Sequence, residues 1–383
     1  MNCTLECVEK QQEAASTLFA ALSQIKDPRR RRGVRYPLAV ILTVIVLAKL
    51  CGETELRGIA QWAQYRAVEL SNALKLERQQ MPHWTTYSRV LHRLAPEELR
   101  SIVHITNQHL GSAGKQLILD GKTLRGTITP GQVQREHLVS LYEPDSRQVV
   151  AQVAVRDKQN EIGAARQLLA EAPLTGSVVT GDAMFTQREL SQLVLEGGGD
   201  YLWVVKENQP RLFQMIDRLF AEEYVLPGHS PLMTDFRSAS QVTKAHGRIE
   251  YRRLTASSLL NHYAEWPGIQ QVFRLERRRQ AGLAAAHTEI GYGITSLRAT
   301  DAGPAELLTF SRRHWAIENQ LHYPRDVSLH EDRCRLQSRQ AQQWMASLNN
   351  LVIALVARSP FTYLPDAQRF FAARLSSALD FFF

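Results

Sequence analysis

Three acidic residues stand where their type and context could support chemistry. Asp120 closes the short apolar run Gln116-Leu117-Ile118-Leu119, and Asp182 closes Val178-Val179-Thr180-Gly181; a glycine adjoins each aspartate. Both runs have the length and apolar content of buried strands. A carboxylate at the end of such a strand projects from a rigid element into the crevice where α/β sheets bind ligands. Two of them brought together could share a divalent cation, since Mg²⁺ is held by one or two carboxylates with waters and phosphates. Each could equally cap the turn or helix that follows, and the sequence leaves both roles open. The third acid is Glu318, in His314-Trp315-Ala316-Ile317-Glu318-Asn319-Gln320-Leu321-His322-Tyr323. On a helix, His314, Trp315 and His322 fall at i−4, i−3 and i+4 from Glu318 and share its face. Two histidines, a tryptophan and a carboxylate are unusual on a purely solvated face; a half-buried packing helix is the alternative. Asp326, Glu331 and Asp332 rank behind Glu318, because they lie beyond the helix break expected at Pro324.

These acids need elements to hold them. Residues 1 to about 110 read as helical, with the apolar run Leu38–Ala48 forming a buried helix closed by Lys49. At eleven residues that run is short of the about 20 that a membrane-spanning helix needs. It also stands too far from the start for a signal peptide, so cytoplasm is the default expectation. After Gly111 the period changes. Strands are expected at 116–119, 137–142, 149–155, 178–182 and 201–205, and helices at 161–172, from about 187 to 195, and from Pro210. From about 223 to 300 the pattern is β-rich, with strands at 249–255, 271–277 and 288–297. Helix returns from Pro304 to about Gln343 with a break near Pro324, and again at Leu348–Val356. Three strands followed by alternating helix and strand is the order of a ribonuclease-H-like sheet, although other α/β folds share it. Trp203 is expected in the core. No functional role is assigned to Phe381-Phe382-Phe383.

Composition bounds the answer further. The chain has 383 residues, 46 Lys/Arg against 38 Asp/Glu, and four cysteines. With 44% hydrophobic residues it is neither disordered nor a small disulfide scaffold. Cys3, Cys7, Cys51 and Cys334 form no CxxC pair and suit a reducing compartment. His330 and Cys334, four apart, lack further ligands for a metal. The net charge of +8 is unevenly spread. Residues 1–110 carry 15 Lys/Arg against 10 Asp/Glu, and residues 244–280 carry eight against three. The run Arg29, Arg30, Arg31 and Arg32 after Asp27-Pro28 has no helical reason to be contiguous, and its mutual repulsion is relieved by an anion such as phosphate. A solvated loop is the alternative.

With those residues in view the sequence resembles the DDE transposases of bacterial insertion sequences, in the ISAs-type branch that includes the H-repeat-associated proteins. DPRRRRGVRYPLAVIL is similar to that family's N-terminal associated domain, LILDGKTLRG to its first catalytic strand and VVTGDAMFTQ to its second. VVKENQ and HGRIEYR match two further blocks, and HWAIENQLHY matches the catalytic-glutamate helix. The resemblance implies an α/β fold: a ribonuclease-H-like catalytic core with a β-rich insertion, plus an N-terminal α-helical domain. It divides the chain into 1–110, a DNA-binding helical domain; 111–345, the catalytic domain, with the insertion at about 223–300; and 346–383, a helical tail. Asp120, Asp182 and Glu318 become a triad holding two Mg²⁺ or Mn²⁺ ions, for phosphodiester cleavage and strand transfer at the ends of an insertion sequence.

The implied partners are double-stranded DNA, as element-end inverted repeats and target, and a second copy of the chain in a synaptic homodimer. No membrane is involved. The protein would be cytoplasmic and nucleoid-associated when bound. Expected DNA contacts are Arg29, Arg30, Arg31, Arg32, Lys122, Arg125, Lys206, Asn208, His246, Arg248, His314 and Arg325. Related transposases carry Tyr, Arg and Lys around the glutamate, where this chain has Ser311, His314 and Arg325. His314 is thus expected to contact phosphate or orient Glu318, and Arg325 to clamp phosphate. A nuclease of the same fold without strand transfer, or an inactive DNA-binding descendant, would leave many of the same marks.

Overall fold

The structure is a computed structural model that describes residues 17–30, 32, 34–95, 97–110, 115–124, 136–155, 161–221, 235–245, 247–281, 287–334, 336 and 338–383. It is mixed α/β and falls into two compact units. The first gathers the described residues of Met1–Ala113, Gly121–Lys158 and Ile317–Phe383; the second gathers those of Gly114–Asp120 and Gln159–Ala316.

Among the described residues the N-terminal part of the first unit holds six helices: α1 (Leu18–Leu22), α2 (Leu38–Leu50), α3 (Leu56–Tyr65), α4 (Ala67–Ala73), α5 (Trp84–Arg93) and α6 (Glu98–Leu110). Helix α2 is apolar on every side, and a helix of that kind must be surrounded. All thirteen of its residues are buried, Lys49 included. Around it pack α1, α3 and three C-terminal helices, α11 (Arg339–Val356), α12 (Leu364–Ala373) and α13 (Leu375–Leu379). The phenylalanines at the end of the chain join this core. Phe382 is fully buried, the Phe19 amide donates to its carbonyl at 3.3 Å, and the Phe19 and Phe383 rings lie 5.4 Å apart. The antiparallel hairpin of β2 (Glu136–Glu143) and β3 (Gln148–Val155) packs on α6 and α11. Its turn is held by Glu143, which accepts from the amides of Asp145 and Ser146.

Strand β1 (Gln116–Leu124) begins in the second unit and ends in the first. In the second unit the strand order is β1-β4-β5-β9-β8-β7-β6. Strands β4 (Val178–Gly181) and β5 (Asp200–Val205) run parallel to β1, and β6 (Arg237–Ala245), β7 (Arg248–Ser257), β8 (Gln271–Ala281) and β9 (His287–Thr295) form an antiparallel meander. β5 pairs antiparallel with β9. Helices α7 (Glu161–Glu171), α8 (Arg188–Glu196), α9 (Pro210–Phe220) and α10 (Pro304–Arg313) complete the unit. Trp203 lies fully buried on β5, its indole donating to Ser191 Oγ at 3.0 Å.

Three details of the sequence reading need correction. The strand expected at 116–119 continues to Leu124, so Asp120 lies within β1 and does not close it. Among the described residues the β-rich region holds four strands, not three: β6 reads Arg-Ser-Ala-Ser-Gln-Val-Thr-Lys-Ala, too polar to stand out as a strand, and it lies at the end of the sheet. The helix expected from Pro304 to about Gln343 ends at Arg313. Two π-helical turns follow, Glu318–His322 and Pro324–Ser328, then a 3₁₀ turn at Glu331–Arg333. Pro324 has no N–H and its ring crowds the carbonyl four residues back, and the wider turn relieves this. The Tyr323 amide accordingly reaches back five residues to the Glu318 carbonyl, and the Leu329 amide to that of Pro324.

Candidate active site

Asp120 and Asp182 sit side by side in the second unit. β1 and β4 are parallel, with Leu119 paired to Gly181, and each aspartate is the next residue along. Neighbouring strands lie about 4.8 Å apart, and equal register puts the two residues on one face of the sheet. Asp182 is exposed and also caps the 3₁₀ turn Ala183–Phe185, its Oδ1 accepting from the Met184 amide at 3.0 Å. Of the two roles left open by the sequence, the capping one is present in Asp182. Asp120 is half-buried.

The floor behind Asp182 is polar and closed. Thr180, two residues earlier on β4 and fully buried, has its Oγ1 3.1 Å from Gln116 Nε2 and 3.2 Å from His314 Nδ1. Gln116 Nε2 also donates to the Phe310 carbonyl at 3.0 Å. Burial, and to a smaller degree the Arg277 charge, push His314 down to about 4, so the ring is neutral near pH 7. Beyond Asp182 the turn is tied down from the next strand end. Asn208 Nδ2 donates to the Ala183 carbonyl at 2.6 Å, and Gln209 Nε2 to that of Thr186 at 2.9 Å.

Glu318 stands in the first unit on the first π turn, with its side chain 63% exposed. His322 Nδ1 lies 3.1 Å from its Oε2. The hydrogen bond from His322 is the main influence lowering the Glu318 carboxyl below the usual range, with the charges of His322 and Lys122 acting in the same direction and burial opposing. The pairing of Glu318 with His322 expected from helical spacing is present, on a wider turn than an α-helix provides.

Several expected DNA contacts have internal partners instead. Arg325 is fully buried: its Nε and Nη2 donate to both oxygens of Glu331 at 2.7–3.0 Å, and Asn349 Nδ2 donates to Glu331 Oε2 at 2.8 Å. A guanidinium so enclosed cannot meet phosphate. Lys122 is nearly buried and pairs with Asp326, Nζ to Oδ2 at 2.6 Å. His314 is likewise an interior group. Asn208 is exposed but spends its amide on the Ala183 turn. Arg29 folds onto Asp27 at 2.7 Å and onto the Tyr36 carbonyl at 2.8 Å. Arg30, Arg32, Lys206 and Arg248 are exposed. Arg31, Arg125 and His246 lie outside the described residues, as do Cys3 and Cys7. Sequence reasoning missed the interior group of Lys49, Arg325, Glu331 and Asn349. Its signal was present as a lysine in an otherwise apolar helix and paired asparagines within another.

Residues 111–355 match the family described as Transposase DDE domain, and residues 19–105 match the one described as DDE_Tnp_1-associated. The chain belongs to the transposase DDE domain family. Over 354 residues it is 26% identical to "H repeat-associated putative transposase YhhI" of Escherichia coli (strain K12), spanning 88% of this chain and 90% of that one. It is 28% identical to "Putative transposase YncI" of Escherichia coli O157:H7 over 350 residues, 89% of this chain and 87% of the relative. A Xanthobacter autotrophicus protein, "Uncharacterized protein in dhlA 3'region", is 30% identical over 67% of this chain and 86% of its own length.

Members of the DDE family act with divalent metal ions. The donors present are compatible with one: a carboxylate within β1 and another just past the end of β4 offer the hard oxygen ligands that Mg²⁺ or Mn²⁺ prefers. Among the described residues no group of three or more His, Cys, Asp or Glu stands together as a metal cluster. Among those residues Cys51 and Cys334 are free thiols, and no helix is long and apolar enough to cross a membrane.

Proposed function

We propose that the protein is a metal-dependent transposase with a ribonuclease-H-like core. In this reading it cuts at the ends of an insertion sequence and joins them to target DNA. The observation that carries the reading is the equal register of Asp120 and Asp182 on neighbouring parallel strands. Glu318 completes the acidic set, kept ionised by His322. Asp120, Asp182 and Glu318 would hold two Mg²⁺ or Mn²⁺ ions. Such ions would supply Lewis acidity for an attacking hydroxyl and a departing oxygen of the phosphodiester.

The chain's own residues prepare the place. β1 and β4 give the two aspartates fixed backbones. Thr180, Gln116 and His314 form a hydrogen-bonded polar floor. Asn208 and Gln209 hold the turn after Asp182. The exposed bases Arg30, Arg32, Lys206 and Arg248 suit the backbone of duplex DNA, where each neutralised phosphate steepens the salt dependence of binding. In functional terms residues 1–110 would recognise DNA, 111–345 would carry the chemistry and 346–383 would support the fold. A homodimer would bring two element ends together. The cytoplasm, at the nucleoid, is the matching location.

The test is the series Asp120→Asn, Asp182→Asn and Glu318→Gln. Each removes a ligand charge while keeping shape. Each is expected to abolish Mn²⁺-dependent cleavage of the element's own ends, with the folded state and DNA binding retained. Wild-type cleavage by any of them removes that residue from the site. A strand-transfer assay on the same DNA separates a transposase from a nuclease that cuts without joining. Absence of cleavage by the wild-type chain would favour a DNA-binding descendant.

A further inference from the structure

Glu318 sits on backbone that is weakly held by its own hydrogen bonds. Two π turns occur almost in succession, and the second opens on a proline with no N–H to give. Wide turns of this kind are short and have to be supported by their surroundings. Three side-chain contacts within the first unit provide that support. Tyr142 on β2 donates its hydroxyl to Gln320 Oε1 at 3.1 Å. Arg325 and Glu331 join the second turn to Asn349 of α11. Lys122 on β1 pairs with Asp326.

The third contact differs from the others. Lys122 lies two residues after Asp120 on the same strand, so it ties the Glu318 segment directly to β1. Its side chain is 10% exposed, and the remaining oxygen of Asp326, Oδ1, is buried with no hydrogen-bond partner. The ammonium therefore carries the compensation of that carboxylate. The Asp326 side chain is 31% exposed, so the pair is enclosed on the Lys122 side, and removing the lysine leaves the buried Oδ1 side of the carboxylate uncompensated.

We propose that Lys122 is a positioning residue for Glu318: its ion pair with Asp326 fixes the π-helical segment on β1, and it does not contact DNA phosphate. This rests on the reading of Glu318 as a metal-holding acid. The rival role is the phosphate contact expected for a lysine just after a catalytic strand.

The experiment compares the full chain with Lys122→Met, Lys122→Arg, Asp326→Asn and Glu318→Gln. Amide hydrogen exchange of peptides covering 318–328 is followed without metal or DNA. Binding to a duplex carrying the sequence that flanks the reading frame is measured over a salt series without divalent ions. Nicking of a plasmid bearing that duplex is titrated with Mn²⁺. Lys122→Met is expected to raise exchange in 318–328 about tenfold and to raise the half-saturating Mn²⁺ concentration by a similar factor. DNA affinity and its salt slope should stay within about twofold, because no phosphate contact is lost. Lys122→Arg should restore most of the protection. Asp326→Asn should reproduce the exchange effect, and it carries the test if Lys122→Met fails to fold. Unchanged exchange in both variants overturns the proposal, as does a loss of DNA affinity with a shallower salt slope in Lys122→Met. Wild-type nicking by Glu318→Gln would instead overturn the role of Glu318, while the exchange result still decides what Lys122 does.

Discussion

A methyl group on Gly181 would lie 2.7 Å from the Trp203 ring and 3.2 Å from Phe185 Cβ. Both neighbours are fully buried, so neither can yield cheaply. Gly181→Ala is therefore expected to destabilise the chain by about 1–3 kcal/mol, an overpacking cost, and to displace Asp182 beside it. Denaturant unfolding and Mn²⁺-dependent cleavage check both effects, and a variant equal to wild type in each would refute the tight fit. Lys49 gives a second prediction. Burial holds it down to about 8 from an ordinary 10.5, against the opposing pull of Cys334 and Glu331. The folded state thus sheds this proton before the unfolded state does. Between about pH 8 and 10.5 the unfolded chain binds more protons, so wild-type stability should rise with pH relative to Lys49→Met, by roughly 3 kcal/mol over the window. Parallel stability–pH curves for the two proteins would contradict this. The position of Asp182 after β4 was legible from local pattern, whereas Asp120 lies within β1, because Gly121-Lys122-Thr123-Leu124 continues the strand without an apolar signature. The partners of Lys122 and His314 were not legible, because contacts spanning 204 and 134 positions leave no local trace.

Among the elements, legibility followed apolar content and punctuation. β4 and β5 are short apolar runs bounded by glycine or charge, and both were visible. β6 was not, since strand pairing at the end of a sheet can be satisfied by Ser, Thr and Gln. The π turns escaped for a different reason: the spacing of His314, Trp315, Glu318 and His322 fits an α-helix, and only Pro324 gave warning. What stabilises that segment can be tested. Arg325→Met would strand Glu331, buried and ionised, and should cost about 3–5 kcal/mol. Arg325→Met combined with Glu331→Met should cost clearly less, because no lone charge remains. Thermal unfolding of the single and double variants checks the pair, and a double variant worse than the single would refute it.

At the level of the whole molecule, the first unit draws on both ends of the chain. Phe382 fills a closed space beside α1, and Phe382→Ala should cost about 3–5 kcal/mol by cavity formation. The loss should appear as a lower unfolding midpoint for the N-terminal helices as well as the tail, read by hydrogen exchange of Leu38–Leu50. Protection of those residues equal to wild type would show that the C-terminal phenylalanines are dispensable.

The same construction bears on how the protein is made. A ribosome releases α2 more than 250 residues before it releases α11, α12 and α13, which cover it. During that interval thirteen core residues, apolar except for Thr43 and Lys49, have no permanent cover. Domains usually fold as units in the order of synthesis. Here the N-terminal helices must wait, and a nascent chain stalled before α11 should engage holding chaperones through Leu38–Leu50. Completion of the last helices, rather than emergence of the N-terminal ones, then sets the moment at which a new molecule becomes competent.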